Sequence, residues 1–141
     1  MDQREHRGLV RRWANGRQLT NLFSYNGGFS IAAALGGASR VTTVDIAADA
    51  IEDAKENFRL NGIDPDHHVF VAADAFEWSP KERQDMVVVD PPSLVKDKTQ
   101  VKTGLRAYKN LHRRLGPWLP RDGLLCTASC TSWISRAEWA G

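Results

Sequence analysis

The chain has 141 residues, close to one domain at roughly 150 residues per domain. Hydrophobic residues make up 42% and charged residues 26%, enough apolar side chains for a packed core and too many for intrinsic disorder. The net charge is only +2, from 19 basic and 17 acidic side chains, which by itself is no nucleic-acid signature. No apolar stretch approaches the roughly 18 residues that a bilayer span needs. The charged start Met1-Asp2-Gln3-Arg4-Glu5-His6-Arg7 has no apolar run behind it, so no secretory signal is expected. Cys126 and Cys130 are too few and too close for a disulfide framework or a zinc site. His6, His67, His68 and His112 share no ligand spacing. The expectation is a cytoplasmic protein with reduced thiols, no metal and no membrane association.

Along the chain the hydrophobic pattern switches between helical and strand periods. Residues 5–15 read as a polar helix, ended by Asn15-Gly16, and 1–16 as the leading helix of the domain. Arg4, Arg7, Arg11 and Arg12 crowd it at near-helical spacing, the pattern of a solvated face. A strand is predicted over 18–23, then a loop through Gly28, then an Ala-rich helix over 29–35 closed by Gly36-Gly37. Residues 41–45 form a β-branched strand ending in Asp45. A helix over 47–60 follows, with Ile51, Ala54 and Phe58 on one face. Strands are predicted over 68–72 and 85–90. The second is a nearly continuous apolar run, the kind buried on both faces of a parallel sheet, and Pro91-Pro92 stops it. A helix over 99–115 carries Leu105, Tyr108, Leu111, His112 and Leu115, and a fifth strand spans 123–127. Ser135-Arg136-Ala137-Glu138 is a capping box opening a further helix. Five strands alternating with helices predict an α/β, Rossmann-like, mostly parallel sheet with helices on both faces. Residues 1–141 read as a single domain without repeats, and the stop at Gly141 leads us to expect a fragment cut before the last strands.

Ligands of open α/β sheets bind beyond the carboxyl ends of the strands. The residues in those places are Ser24 to Gly28, Asp45, Asp74, Asp90-Pro91-Pro92-Ser93 and Ser129-Cys130-Thr131. The glycines of Asn26-Gly27-Gly28 allow close backbone approach to a ligand at a helix start. Asp45 follows Gly27 by 18 residues, where a carboxylate can take two ribose hydroxyls. The dinucleotide fingerprint needs three spaced glycines, and Ser24-Tyr25-Asn26-Gly27-Gly28-Phe29 lacks them. A ligand without a pyrophosphate is preferred, which points to S-adenosylmethionine.

The resemblance then becomes specific. Asp2-Gln3-Arg4, Asn21-Leu22-Phe23-Ser24-Tyr25-Asn26-Gly27-Gly28-Phe29-Ser30, Ala73-Asp74-Ala75-Phe76, Asp90-Pro91-Pro92-Ser93 and Thr127-Ala128-Ser129-Cys130 together resemble one family. It is the bacterial class I S-adenosylmethionine-dependent 23S rRNA (cytosine-5)-methyltransferases. The resemblance runs from residue 2 to residue 138, the middle of such a protein; members also carry an N-terminal RNA-binding PUA domain and two further strands. It implies that the loop of Phe23, Ser24, Tyr25, Asn26, Gly27 and Gly28 wraps the methionine end of the cofactor. It further implies that Asp45 binds the ribose, that Ile46 lies on the adenine, and that Asp74 and Ala75 read the adenine edge. Asp90 would serve both the cofactor site and catalysis, with Pro91-Pro92 facing the target base. Gln3 and Arg4 are linked to the cofactor only loosely. Asn26 departs from the family's usual Thr but keeps a polar group. Ser93 stands where enzymes methylating exocyclic amines usually carry an aromatic, which argues against that chemistry.

The 5-carbon of cytosine is a poor nucleophile, and the family activates it by adding a thiolate to the neighbouring ring carbon. The resemblance makes Cys130 the nucleophile and Asp90 the supporting acid, with 23S rRNA as partner. A predicted helix start near Cys130 would lower its pKa, whereas Cys126 within the fifth strand reads as a small core residue. Three alternatives stand beside this reading: a methyltransferase for a guanine or a small molecule, a nicotinamide-dependent oxidoreductase, and a cofactor-binding module without activity.

Overall fold

The computed structural model describes residues 3–92 and 97–127. Its elements in chain order are α1 (Gln3–Trp13), β1 (Gln18–Leu22), α2 (Gly28–Leu35), β2 (Arg40–Asp45), α3 (Ala48–Leu60), β3 (Val69–Ala72), β4 (Met86–Val89), α4 (Val101–Leu115) and β5 (Leu124–Thr127). The predicted helix opening at Ser135 lies outside the described residues. Every predicted strand within them is present, with ends moved by one or two residues. All four strand pairings are parallel, in the order β3-β2-β1-β4-β5.

Period-two alternation sends the strand side chains to two cores. Leu19, Val41, Met86 and Val88 face one side, where they meet Val10 of α1, Ala14 just after it, Phe29 and Ala33 of α2 and Phe58 of α3. Leu22, Val44, Val87 and Val89 face the other, against Leu111 and Leu115 of α4 and Trp118. A sheet covered on both faces explains why β4 is apolar at every position. α3 shows the energetics of one covering helix. Ile51, Ala54 and Phe58 are buried, and burying Phe58 alone contributes about 1.5–3 kcal/mol. On its outer face Lys55–Glu52 and Arg59–Glu56 pair at 3.0 and 3.1 Å, worth only about 0.2–0.5 kcal/mol each. Apolar burial, not surface charge, holds this helix down.

Two packing details position the site. α1 lies directly on the end of α2: a Cβ on Gly36 would stand 2.1 Å from the Arg11 carbonyl oxygen. Between α2 and the sheet is a buried polar cluster, in which Asn21 Nδ2 donates to Ser30 Oγ at 3.0 Å and Thr43 Oγ1 lies 2.8 Å from the same oxygen. At the β3 edge the Val41 N–H donates to His68 Nδ1 at 3.0 Å, which leaves the ring proton on Nε2. Burial, with help from His67 and Arg40, lowers the His68 pKa below its ordinary value. No helix among the described residues is long and apolar enough to cross a membrane.

Candidate functional site

Strands β1, β2 and β3 step outward in one direction and β4, β5 in the other, so the order reverses between β1 and β4. Above that reversal lies a cavity of about 590 Å³, within the usual range of ligand pockets. Its walls come from the loops that follow β1, β2, β3 and β4, together with Arg7 of α1.

The β1 loop carries the most unusual backbone. Phe23, Tyr25 and Gly27 alternate in the left-handed region, with φ of 58°, 51° and 86°. For the two aromatic residues this costs on the order of 1–3 kcal/mol each. Several bonds hold the conformation. The Ser24 N–H donates to the Val44 carbonyl at 3.0 Å and the Gly27 N–H to the Ser24 carbonyl at 2.9 Å. Asn57 Nδ2 of α3 donates to the Asn26 carbonyl at 3.0 Å, and the Phe23 ring meets Phe76 edge to face at 4.9 Å. Gly27 itself does not line the cavity. It is buried under the loop, where a Cβ would touch Ala54 Cβ at 3.0 Å. Gly28 and Phe29 do line it, in the first turn of α2, where backbone N–H groups lack intrahelical partners and the helix dipole is positive.

Asp45, at the end of β2, ties the two neighbouring loops together. Its Oδ2 accepts the Tyr25 N–H and its Oδ1 the Ala47 N–H, both at 2.9 Å. A carboxylate has about four lone-pair sites, so capacity remains for hydroxyl donors. Beside it Ile46 is 72% exposed, and Tyr25 across the rim is 73% exposed. Two large, largely uncovered side chains at the mouth of one cavity suit a flat ring between them.

After β3, Asp74, Ala75 and Phe76 complete this wall. Asp74 Oδ1 accepts the Phe76 N–H at 2.9 Å, so the acid shapes a tight turn while facing the cavity. The turn is anchored from α4. Arg114 donates from Nη1 to the Ala75 carbonyl at 3.1 Å and from Nη2 to the Trp78 carbonyl at 2.5 Å, with its guanidinium over the Trp118 ring. Asp90 and Pro92, after β4, form the remaining wall. At the neighbouring edge Cys126 pairs in register with Val88. Burial, and then the negative charge of Asp90, push its thiol pKa up. Cys126 is therefore held as an unreactive thiol packed against the core. His112 Nε2 lies 3.0 Å from Thr127 Oγ1 at the end of β5, and burial lowers its pKa.

The structure thus brings Phe23, Ser24, Tyr25, Asn26, Gly28, Asp45, Ile46, Asp74, Ala75 and Asp90, all singled out in the sequence, around one cavity. Cys130 lies outside the described residues. Sequence reasoning missed Arg7, Phe29 and Phe76 as wall residues and Arg114 as the anchor of the β3 turn. Phe29 and Phe76 sit inside motifs already singled out; nothing local marks Arg7 or Arg114. Arg4 lines a neighbouring groove rather than this cavity. Among the described residues no group of three or more His, Cys, Asp or Glu side chains converges as a metal site would require.

One buried group tests whether a nucleoside cofactor fits. Ser24 lines the cavity, is only 6% exposed, and its Oγ has no hydrogen-bond partner among the described residues. Leaving such a hydroxyl unsatisfied costs about 1–3 kcal/mol, and a polar ligand end would relieve it. With an acid at the end of β2, apolar side chains at the mouth and a positive helix start, the walls fit S-adenosylmethionine.

The family comparison agrees. Residues 1–134 match the S-adenosylmethionine-dependent methyltransferase family, and the chain belongs to it. Among characterised relatives it is similar to the ribosomal RNA large subunit methyltransferase of Deinococcus radiodurans, at 41% identity over 99% of this chain and 35% of the relative. It is also similar to ribosomal RNA large subunit methyltransferase I of Klebsiella pneumoniae, at 37% identity over 93% of this chain and 34% of the relative. The chain thus spans about a third of the length of these relatives. Among solved structures, a Streptococcus mutans protein described as a SAM-dependent methyltransferase superposes with a TM-score of 0.82, at 29% identity over 99% of this chain and 37% of that one. A second, described as a methyltransferase and solved with S-adenosylhomocysteine, gives 0.75, at 26% identity over 99% and 38%. The cofactor of the family is S-adenosylmethionine.

Proposed function

We propose that residues 1–141 act as one methyltransferase domain that methylates the 5-position of a cytosine in 23S rRNA, through a covalent adduct on Cys130. The observation that carries the cofactor half is the single cavity at the strand reversal, built from the loops after four successive strands. The relatives' rRNA activity supports the substrate half, as does Cys130, which follows β5 by three residues. A helical cytosine must first leave its stack to reach such a site.

When bound, S-adenosylmethionine supplies an electrophilic methyl group on a sulfonium. The first-turn amides of α2 and Arg7 would hold the acidic end of the cofactor, Asp45 would take the ribose hydroxyls, and Ile46 and Tyr25 would flank the adenine. The Cys130 thiolate adds to the 6-carbon of the base while the Asp90 carboxyl gives a proton or hydrogen bond to the ring nitrogen. That addition pushes electron density onto the 5-carbon, which would then take the methyl group as the sulfur–methyl bond breaks, its electron pair staying on the sulfur of S-adenosylhomocysteine. A base removes the proton left on the 5-carbon, the Cys130–carbon bond breaks, and the electron pair returns to sulfur. Pro91-Pro92 keeps the approach of Asp90 rigid by fixing the chain after β4.

Methyl transfer to 23S rRNA, followed by nuclease digestion and mass analysis of the nucleosides, tests the substrate assignment. The label is expected in 5-methylcytidine. Recovery in a methylated guanosine, or only in a small-molecule fraction, would assign the cavity to a different acceptor.

A further inference from the structure

The arginine row of α1 is absorbed only in part by the cofactor cavity. Arg4, Arg7 and Arg11 share one face of the helix and line a groove of about 370 Å³ between α1 and α2. Gly8 keeps the groove open on the α1 side, with no atom within 4 Å of where its Cβ would be, and Ile31 and Leu35 supply an apolar floor. Among the described residues no acidic side chain lines it. All three arginines are exposed. Among the described residues no ion pair is found for Arg7 or Arg11. Arg7 and Gly28 line both this groove and the cofactor cavity, so the two are continuous.

We propose that this groove is the track that binds the phosphate backbone of the RNA substrate beside the target nucleotide, with Arg4 and Arg11 as its phosphate contacts. This rests on the RNA reading above. A base delivered to the Asp90 wall must bring its flanking backbone over the cavity rim, and the groove opens from that rim. Guanidinium forks match phosphate oxygens in pairs, and seven residues of helix place Arg4 and Arg11 roughly 10 Å apart along the axis. The apolar floor suits sugar and base edges between phosphates. A groove lined by three arginines and by no acid among the described residues suits a polyanion, whereas a protein surface would be expected to meet a mixed rim.

The test is fluorescence anisotropy of this chain with a short labelled single-stranded RNA carrying one cytosine, over roughly 50–200 mM salt, with S-adenosylhomocysteine affinity measured in parallel. In the double variant Arg4→Gln/Arg11→Gln the plot of log affinity against log salt is expected to be shallower by about 1.4, or about 0.7 per lost contact on a single strand. Cofactor affinity is expected to be unchanged. An unchanged slope, as a face that docks another protein would give, overturns the track. So does a parent chain that binds S-adenosylhomocysteine but no RNA at the lowest salt. A parent chain that binds RNA with the expected slope and no S-adenosylhomocysteine keeps the track and overturns the methyltransferase reading instead.

Discussion

Cys130→Ser is expected to abolish methyl transfer, by on the order of a thousandfold or more, while S-adenosylhomocysteine still binds. Losing a nucleophile from a covalent mechanism costs several orders of magnitude because the other groups act only through the adduct. A serine hydroxyl does not replace it, since the alkoxide is far harder to form than a thiolate. Cys126→Ala is the control. Its thiol is kept protonated by burial and by Asp90, and it packs against the core from β5. That substitution should cost some stability and leave turnover in place. Rates of methyl incorporation for both variants decide the matter. Activity of Cys130→Ser near that of the parent, or its loss in Cys126→Ala, would sink the assignment of the nucleophile.

Asp45→Ala is expected to weaken S-adenosylhomocysteine binding by on the order of a hundredfold, two hydroxyl contacts of about 1.5 kcal/mol each being lost. It should also destabilise the chain by about 2 kcal/mol. The carboxylate holds the Tyr25 and Ala47 N–H groups, and hydrogen bonds to a charged acceptor contribute about 1.5–3 kcal/mol each when buried. Asp45 is only half-buried, so each of the two bonds contributes less than that, about 1 kcal/mol. Without it the left-handed conformation of Tyr25 loses its direct restraint. Titration calorimetry and urea unfolding measure the two effects separately. Unaltered affinity in a destabilised variant would make Asp45 a loop anchor and no ribose ligand.

The parts of this fold that were legible in the sequence are those fixed by local pattern. The run Met86–Val89, stopped by Pro91-Pro92, reads as a strand covered on both faces, and the period of Ile51, Ala54 and Phe58 reads as a helix with one buried side. The rim of the site was legible for the same reason: once the strands are parallel, the residues after them share one end of the sheet. What was not legible depends on tertiary distance. Arg7 reaches the cavity because α1 packs on α2, with Gly36 against the Arg11 backbone; a row of arginines in sequence looks the same on a solvated face. Arg114 anchors the Ala75 turn from 39 residues away. Gly27 was read as a cofactor contact, yet its positive φ serves the turn beneath the loop. Phe23 and Tyr25 show the reverse, left-handed residues that no glycine announces, held by bonds from β2 and α3.

The most direct measurement is a thermal unfolding scan of this chain with and without S-adenosylhomocysteine, with NAD as the control. At one hundred times its dissociation constant a bound ligand adds about 2.7 kcal/mol, and each kcal/mol moves Tm by roughly 3–5 °C at this size. An upward shift of several degrees with S-adenosylhomocysteine and none with NAD is the expected result. A cooperative transition that ignores S-adenosylhomocysteine, or that shifts equally with NAD, would contradict the assignment of the cavity.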